Sequence, residues 1–124
     1  MRQEAMEQRL WQVLRDFEVR MPGIEAVFVA SEEGLFVAGA LHEGLDEDVA
    51  AAASSAICGL GETAYKQLGK DGLEAVVLWG EDGYVVARRA GECVVVAVAN
   101  RHVKLGLLLL WVKKLAERIA NELP

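Results

Sequence analysis

The chain is short of the residues on which most site chemistry is built. Its only histidines are His42 and His102, and its only cysteines are Cys58 and Cys93. The cysteines lie far apart with no second cysteine near either, so neither a local redox pair nor a thiolate knuckle for a metal can be assembled. Neither histidine has partners at the spacing of a zinc or nucleophile site. His42, before Glu43-Gly44, reads as a solvated loop residue, and His102 stands where a strand gives way to a helix. Positive charge is scarce as well: 13 bases face 19 acids, for a net charge of −6. The bases are interleaved with acids, which excludes the basic stripe that a nucleic-acid partner requires. The longest apolar run, Leu105–Val112, falls far short of the ~20 residues that span a bilayer, and residues 1–20 hold no apolar core of a secretory signal. A cytoplasmic protein without membrane insertion is the expectation.

What remains is the composition of a packed globule. Apolar residues make up 53% and charged residues 26% of 124 positions, which suits one domain over residues 1–124. Met6, Leu10, Val13, Leu14, Phe17 and Met21 fall on one helical stripe, and Pro22-Gly23 stops that helix. Ile24–Ala30 and Leu35–Ala40 flank Ser31-Glu32-Glu33-Gly34 as a hairpin. The pattern returns at Leu73–Trp79, Gly80-Glu81-Asp82-Gly83 and Tyr84–Arg89, with Glu25 matching Glu74, Val27 matching Val76 and Gly34 matching Gly83. This repetition fits either shared turn chemistry or duplication of a helix-and-hairpin unit. A fifth strand, Glu92–Ala99, is almost wholly apolar, as a strand covered on both faces should be. The last helix, about His102–Leu123, puts Leu105, Leu108, Trp111, Val112, Leu115, Ile119 and Leu123 on one stripe. Leu107, Leu109 and Leu110 lie off that stripe and are expected under the first helix, beside Trp11. The predicted order is α-β-β-α-β-β-β-α.

The middle helix, from Asp46-Glu47-Asp48 to about Leu68, carries the functional signal. Its acids suit a helix N-terminus and Gly69 suits its end. Val49, Ala53, Ile57, Leu60, Ala64 and Leu68 form a stripe expected to pack on the sheet. The opposite side, with Ala52, Ser55 and Gly59, is expected to be charged but is not: Val49–Gly61 holds no charged residue. Gly59 and Gly61 each cost about 1 kcal/mol in a helix interior, a cost explained by close approach of another backbone. A second copy crossing near Ser55 and Gly59 is the first candidate, since most soluble oligomers are twofold symmetric.

No catalytic constellation accompanies this surface. Cys58 on an apolar helix and Cys93 in an apolar strand lack the electropositive surroundings that lower a thiol pKa. Gly59-Leu60-Gly61 begins like a dinucleotide fingerprint but lies inside a helix, with Ala64 in the place of the third glycine. Gly69-Lys70 lacks the rest of a P-loop. The acidic runs Glu32-Glu33, Asp46–Asp48 and Glu81-Asp82 read as solvated turns and a helix start. Neither cofactor nor metal is expected, nor enzymatic activity.

The element order, Pro22-Gly23 before the first hairpin, Glu33-Gly34-Leu35 at its turn, the small-residue central helix and Lys104-Leu105-Gly106 at the last helix together resemble the roadblock family, which includes dynein light chains and bacterial regulators of gliding. The resemblance covers about residues 5–122. It implies an α/β (α+β) sandwich: a five-stranded antiparallel sheet with the central helix on one face and the terminal helices on the other. It also implies a homodimer in which third strands pair edge to edge and central helices pack together. The interface would then use Ala52, Ser55, Ala56 and Gly59 of the helix with Leu73, Ala75 and Val77 of the strand. A non-catalytic regulator or scaffold for a Ras-like small GTPase follows, with Asp46, Glu47, Glu62 and Lys66 rimming the partner platform. Arg88, Arg89 and Arg101 are expected on the strand side, away from it. The alternative is a small-molecule-sensing α/β regulatory domain, which needs a cavity with convergent polar groups.

Overall fold

Eight elements follow one another in the expected order: α1 (Arg2–Arg20), β1 (Ile24–Ser31), β2 (Phe36–Ala40), α2 (Glu47–Gln67), β3 (Val76–Gly80), β4 (Gly83–Ala90), β5 (Cys93–Asn100) and α3 (Leu105–Glu122). The structure is a computed structural model that describes residues 2–123, with side chains from Glu4 onward. The strands form one antiparallel sheet in the order β2-β1-β5-β4-β3. The almost wholly apolar β5 takes the centre, where both of its faces are covered and no polar alternation is needed. Although the two hairpins resemble each other in sequence, β1 is an inner strand and β3 an edge, so the repetition does not extend to sheet position.

Helices α1 and α3 cover one face. Leu10, Leu14 and Phe17 of α1 and Leu108, Val112 and Ile119 of α3 close over Val27, Val29, Val86 and Val95. Burial of each large side chain contributes roughly 1.5–3 kcal/mol, so this layer carries most of the hydrophobic stabilisation. The two helices run antiparallel, as the ion pairs Arg9–Glu122 at 2.8 Å and Asp16–Arg118 at 3.6 Å show. Because α1 lies along the C-terminal half of α3 and stops at Arg20, it does not reach the first turns of α3. Leu107 and Leu110 are therefore half exposed, as is Trp11, contrary to the expected burial under α1. Leu109 alone of the three leucines packs against the core.

Helix α2 covers the other face, but turned from the expected orientation. Ala51, Ser55 and Cys58 meet the sheet, whereas Val49 is 63% exposed, Leu60 69% exposed, and Leu68 also lies in solvent. The physical reason is space. Phe28, Val94 and Val96 already fill this face, with the Phe28 and Phe36 rings stacked 5.9 Å apart. Only small residues let the helix backbone settle on top. At Gly61 a Cβ would stand 2.7 Å from Val76 Cγ2, and at Gly34, in the β1–β2 turn with φ +92°, one would stand 3.1 Å from Ala52 Cα. The Ser55 hydroxyl, 8% exposed as a residue, donates to the Ser31 carbonyl at 2.6 Å.

Two boundaries also move. Strand β3 begins at Val76 rather than Leu73, because Leu73 lies against α2 beneath Gly61. Helix α3 begins at Leu105 rather than near His102, whose backbone N–H donates to the Asn100 side-chain oxygen at 2.9 Å in a turn that ends β5.

Candidate interaction surface

On α2, at 100° per residue, Val49, Ala53, Ala56, Leu60 and Ala64 fall on one line opposite Ala51, Ser55 and Cys58. That line is exposed and carries no charge. The helix is held at both ends. Asp46 caps it, one carboxylate oxygen accepting from the N–H groups of Asp48 at 2.9 Å and Val49 at 3.1 Å. Near the other end, Glu62 accepts two hydrogen bonds from the Arg89 guanidinium, at 2.7 and 2.8 Å, and Glu32 lies 3.6 Å from the same group. The Arg89 hydrogen bonds lower the Glu62 pKa, and the same contact raises that of Arg89. Arg89 is thus on β4, as expected, but on the α2 side of the sheet and tied down there.

Beside α2, β3 is an edge strand whose outer backbone groups have no strand partner among the described residues. Such an edge is a template for pairing with another chain. By its pairing with Val86 and Tyr84, β3 turns Val77 and Trp79 towards the α1/α3 side and Val76 and Leu78 towards α2. Trp79, 77% exposed, stacks on Tyr84 with ring centroids 6.1 Å apart. The pair borders a surface groove of about 530 Å³ with Glu25, Glu81, Asp82 and Val98.

The residues singled out from the sequence fall into three groups. Ala56 lies on the outward face of α2 and Val77 on the free strand, both exposed, while Ala52 and Gly59 flank the outward face. Ser55 lies beneath the helix, and Leu73 and Ala75, half-buried, precede β3. Of the rim residues, Glu47 and Lys66 are exposed, whereas Asp46 and Glu62 have the intramolecular partners described above. Sequence reading missed the outward positions Val49, Ala53, Leu60 and Ala64 by assigning them to the sheet side, and missed Trp79.

Burial raises the pKa of both Cys58 and Cys93, which favours the protonated thiol over the nucleophilic thiolate. Among the described residues no group of three potential ligands could hold a metal ion, and no helix is long and apolar enough to cross a membrane.

A five-stranded antiparallel sheet with one helix on one face and two on the other is the architecture of a roadblock domain. The Roadblock/LC7 domain model matches residues 10–100, and the chain belongs to that family. An uncharacterised protein of Methanocaldococcus jannaschii is 31% identical over 100 residues, spanning 81% of this chain and 85% of its own. The gliding protein MglB from Thermus thermophilus shares the fold with a TM-score of 0.81 at 20% identity, over 95% of this chain and 90% of that one. A second MglB structure, described as a tetrameric arrangement, superposes with a TM-score of 0.82 at 21% identity, over 95% and 90% of the two chains.

Proposed function

We propose that the chain is a non-catalytic regulatory module that pairs with a second copy of itself and presents the paired α2 helices to a Ras-like small GTPase. The observation that carries this reading is the orientation of α2, which spends its small residues on its own sheet and turns Val49 and Leu60 to solvent. Leaving each in water forgoes roughly 1.5–3 kcal/mol that a second protein surface would recover. In a twofold crossing near Ala56, Leu60 of one copy lies over Ala53 of the other, and the small side chains let the two backbones approach. The free edge of β3 continues the sheet into the second copy, with Val77 in the seam. Ala52 and Gly59 sit at the margin, and Ser55 supports the helix from below. The tetrameric arrangement of one MglB structure supports self-association of this fold.

Family membership and the likeness to a gliding protein support a small GTPase as the partner. The paired helices form a flat, uncharged centre against which switch segments can lie, with Glu47 and Lys66 free at its ends. Arg89 is engaged by Glu62 and Glu32, which argues against its serving as an inserted catalytic arginine. Any change in hydrolysis therefore comes from repositioning the GTPase's own residues, which requires different affinities for its two nucleotide states.

Light scattering at tens of micromolar tests the first half: a dimer is expected, and Leu60→Glu should yield a folded monomer. A monomer for the unmodified chain overturns self-association. Titration with Ras-like GTPases loaded with GDP or a GTP analogue tests the second, with tighter binding to one state expected and lost in Leu60→Glu. Equal affinities remove the switching mechanism.

A further inference from the structure

Charge is divided unevenly between the two layers. In α1 four bases meet four acids and in α3 three bases meet two acids, whereas the rest of the chain carries six bases against thirteen acids. Three of the seven bases of these two helices collect at one place. Where the C-terminal end of α1 meets the middle of α3, a groove of about 210 Å³ is lined by Phe17, Arg20, Trp111, Lys114, Leu115 and Arg118. Phe17, Trp111 and Leu115 supply an apolar floor. The rim is cationic, and no acid lines the groove among the described residues. Arg118 is 3.6 Å from Asp16, but Arg20 and Lys114 have no carboxylate partner among the described residues. Lys114 instead places its Nζ 5.3 Å from the centre of the Trp111 ring. Among the described residues three cationic groups thus border one apolar floor whose lining holds no carboxylate.

We propose that this groove docks an acidic peptide segment, one apolar side chain entering between Phe17 and Trp111 while flanking carboxylates meet Arg20, Lys114 and Arg118. The occupant follows from shape and charge together. The apolar floor is recessed between two helices, which a projecting side chain reaches and a flat lipid surface does not. Only an anionic segment complements the rim, and the acidic remainder of the protein repels the same segment elsewhere, so that orientation is set electrostatically. The site lies across the sheet from α2 and is independent of self-association there.

The test uses the full chain and a fluorescein-labelled peptide of six glutamates around one central phenylalanine, followed by anisotropy. Saturable binding that weakens with added salt is expected. The double variant Arg20→Glu with Lys114→Glu should lower affinity about tenfold or more, as expected for reversal of rim charges. Lys70→Glu with Arg101→Glu, two exposed bases outside the groove, should leave affinity unchanged. Replacing the peptide's phenylalanine by alanine should weaken binding about tenfold, the worth of burying one aromatic side chain. Should the first variant melt early by circular dichroism, Arg20→Gln with Lys114→Gln asks the same question with a smaller loss. Absence of saturable binding, equal loss from the Lys70/Arg101 pair, or equal affinity for the alanine peptide overturns the proposal. So does co-sedimentation with phosphatidylserine vesicles that depends on Arg20 and Lys114 without any peptide binding, which would assign the groove to a membrane surface.

Discussion

The two helical layers of this protein cover the same sheet by opposite means. On one side, α1 and α3 drive Leu10, Leu14, Phe17, Leu108, Val112 and Ile119 into the sheet. On the other, α2 lays Ala51, Ser55 and Cys58 against Phe28, Val94 and Val96 and keeps its larger residues outside. The first arrangement maximises burial within one chain. The second gives up part of it, holding the helix instead by an N-cap, one buried hydroxyl and an arginine clamp. A helix fastened by small and polar contacts while exposing an apolar line suits the proposed use of its outer face, and on that proposal stability belongs to one layer and recognition to the other.

Substitutions can break that contrast. The largest effect is expected in the terminal layer, where Ile119→Ala empties a fully buried position and should cost about 2–5 kcal/mol, read as a lower urea midpoint at fixed protein concentration. A loss under about 1 kcal/mol would mean that the terminal helices do not dominate stability. In the α2 layer, Gly61→Val should cost about 1–3 kcal/mol, since its Cβ would meet Val76 Cγ2 at 2.7 Å. Two residues away Gly59 has open space around the same position, so Gly59→Ala should raise stability by up to about 1 kcal/mol. Equal behaviour of the two glycines would contradict the placement of α2.

The smallest effect belongs to the clamp. Glu62→Gln removes an ion pair whose side chains are both partly exposed, so solvent screening limits its worth to under about 1 kcal/mol. Because folding lowers the Glu62 pKa, this stabilisation is fully present above the unfolded carboxylate pKa of about 4.3 and is lost as pH falls through the lower folded value. Urea midpoints of the parent and of Glu62→Gln should differ slightly at neutral pH and converge in acid. A gap that widens in acid would show the clamp to be misassigned.

Much of the architecture was legible because local chemistry and tertiary role coincide. Pro22-Gly23 ends α1, Asp46 caps α2, and the apolar run through Cys93–Ala99 demands a strand covered on both faces. The dimensions of the interaction surface were less legible. The uncharged span Val49–Gly61 fits the proposed cover on the outer side of α2, yet Ser55 and Leu60 exchange the places that periodicity alone suggests. Leu73 is as apolar as a strand residue but packs under Gly61, a contact that no pattern within residues 73–79 encodes. Leu107 and Leu110 stay exposed because α1 is too short to reach them, a matter of how two helices distant in sequence align.

The sequence by itself determined the order of helices and strands, the covering of β5 on both faces and the lack of charge along α2, because each follows from side-chain chemistry read over a few neighbouring positions. Only the tertiary structure decided which face of α2 lies on the sheet, and that Phe17, Arg20, Trp111 and Lys114 share one groove. Periodicity records which residues stand on the same side of a helix. Which of two uncharged sides is pressed inward depends on the room left above Phe28, Val94 and Val96, and that room exists only once the strands have paired.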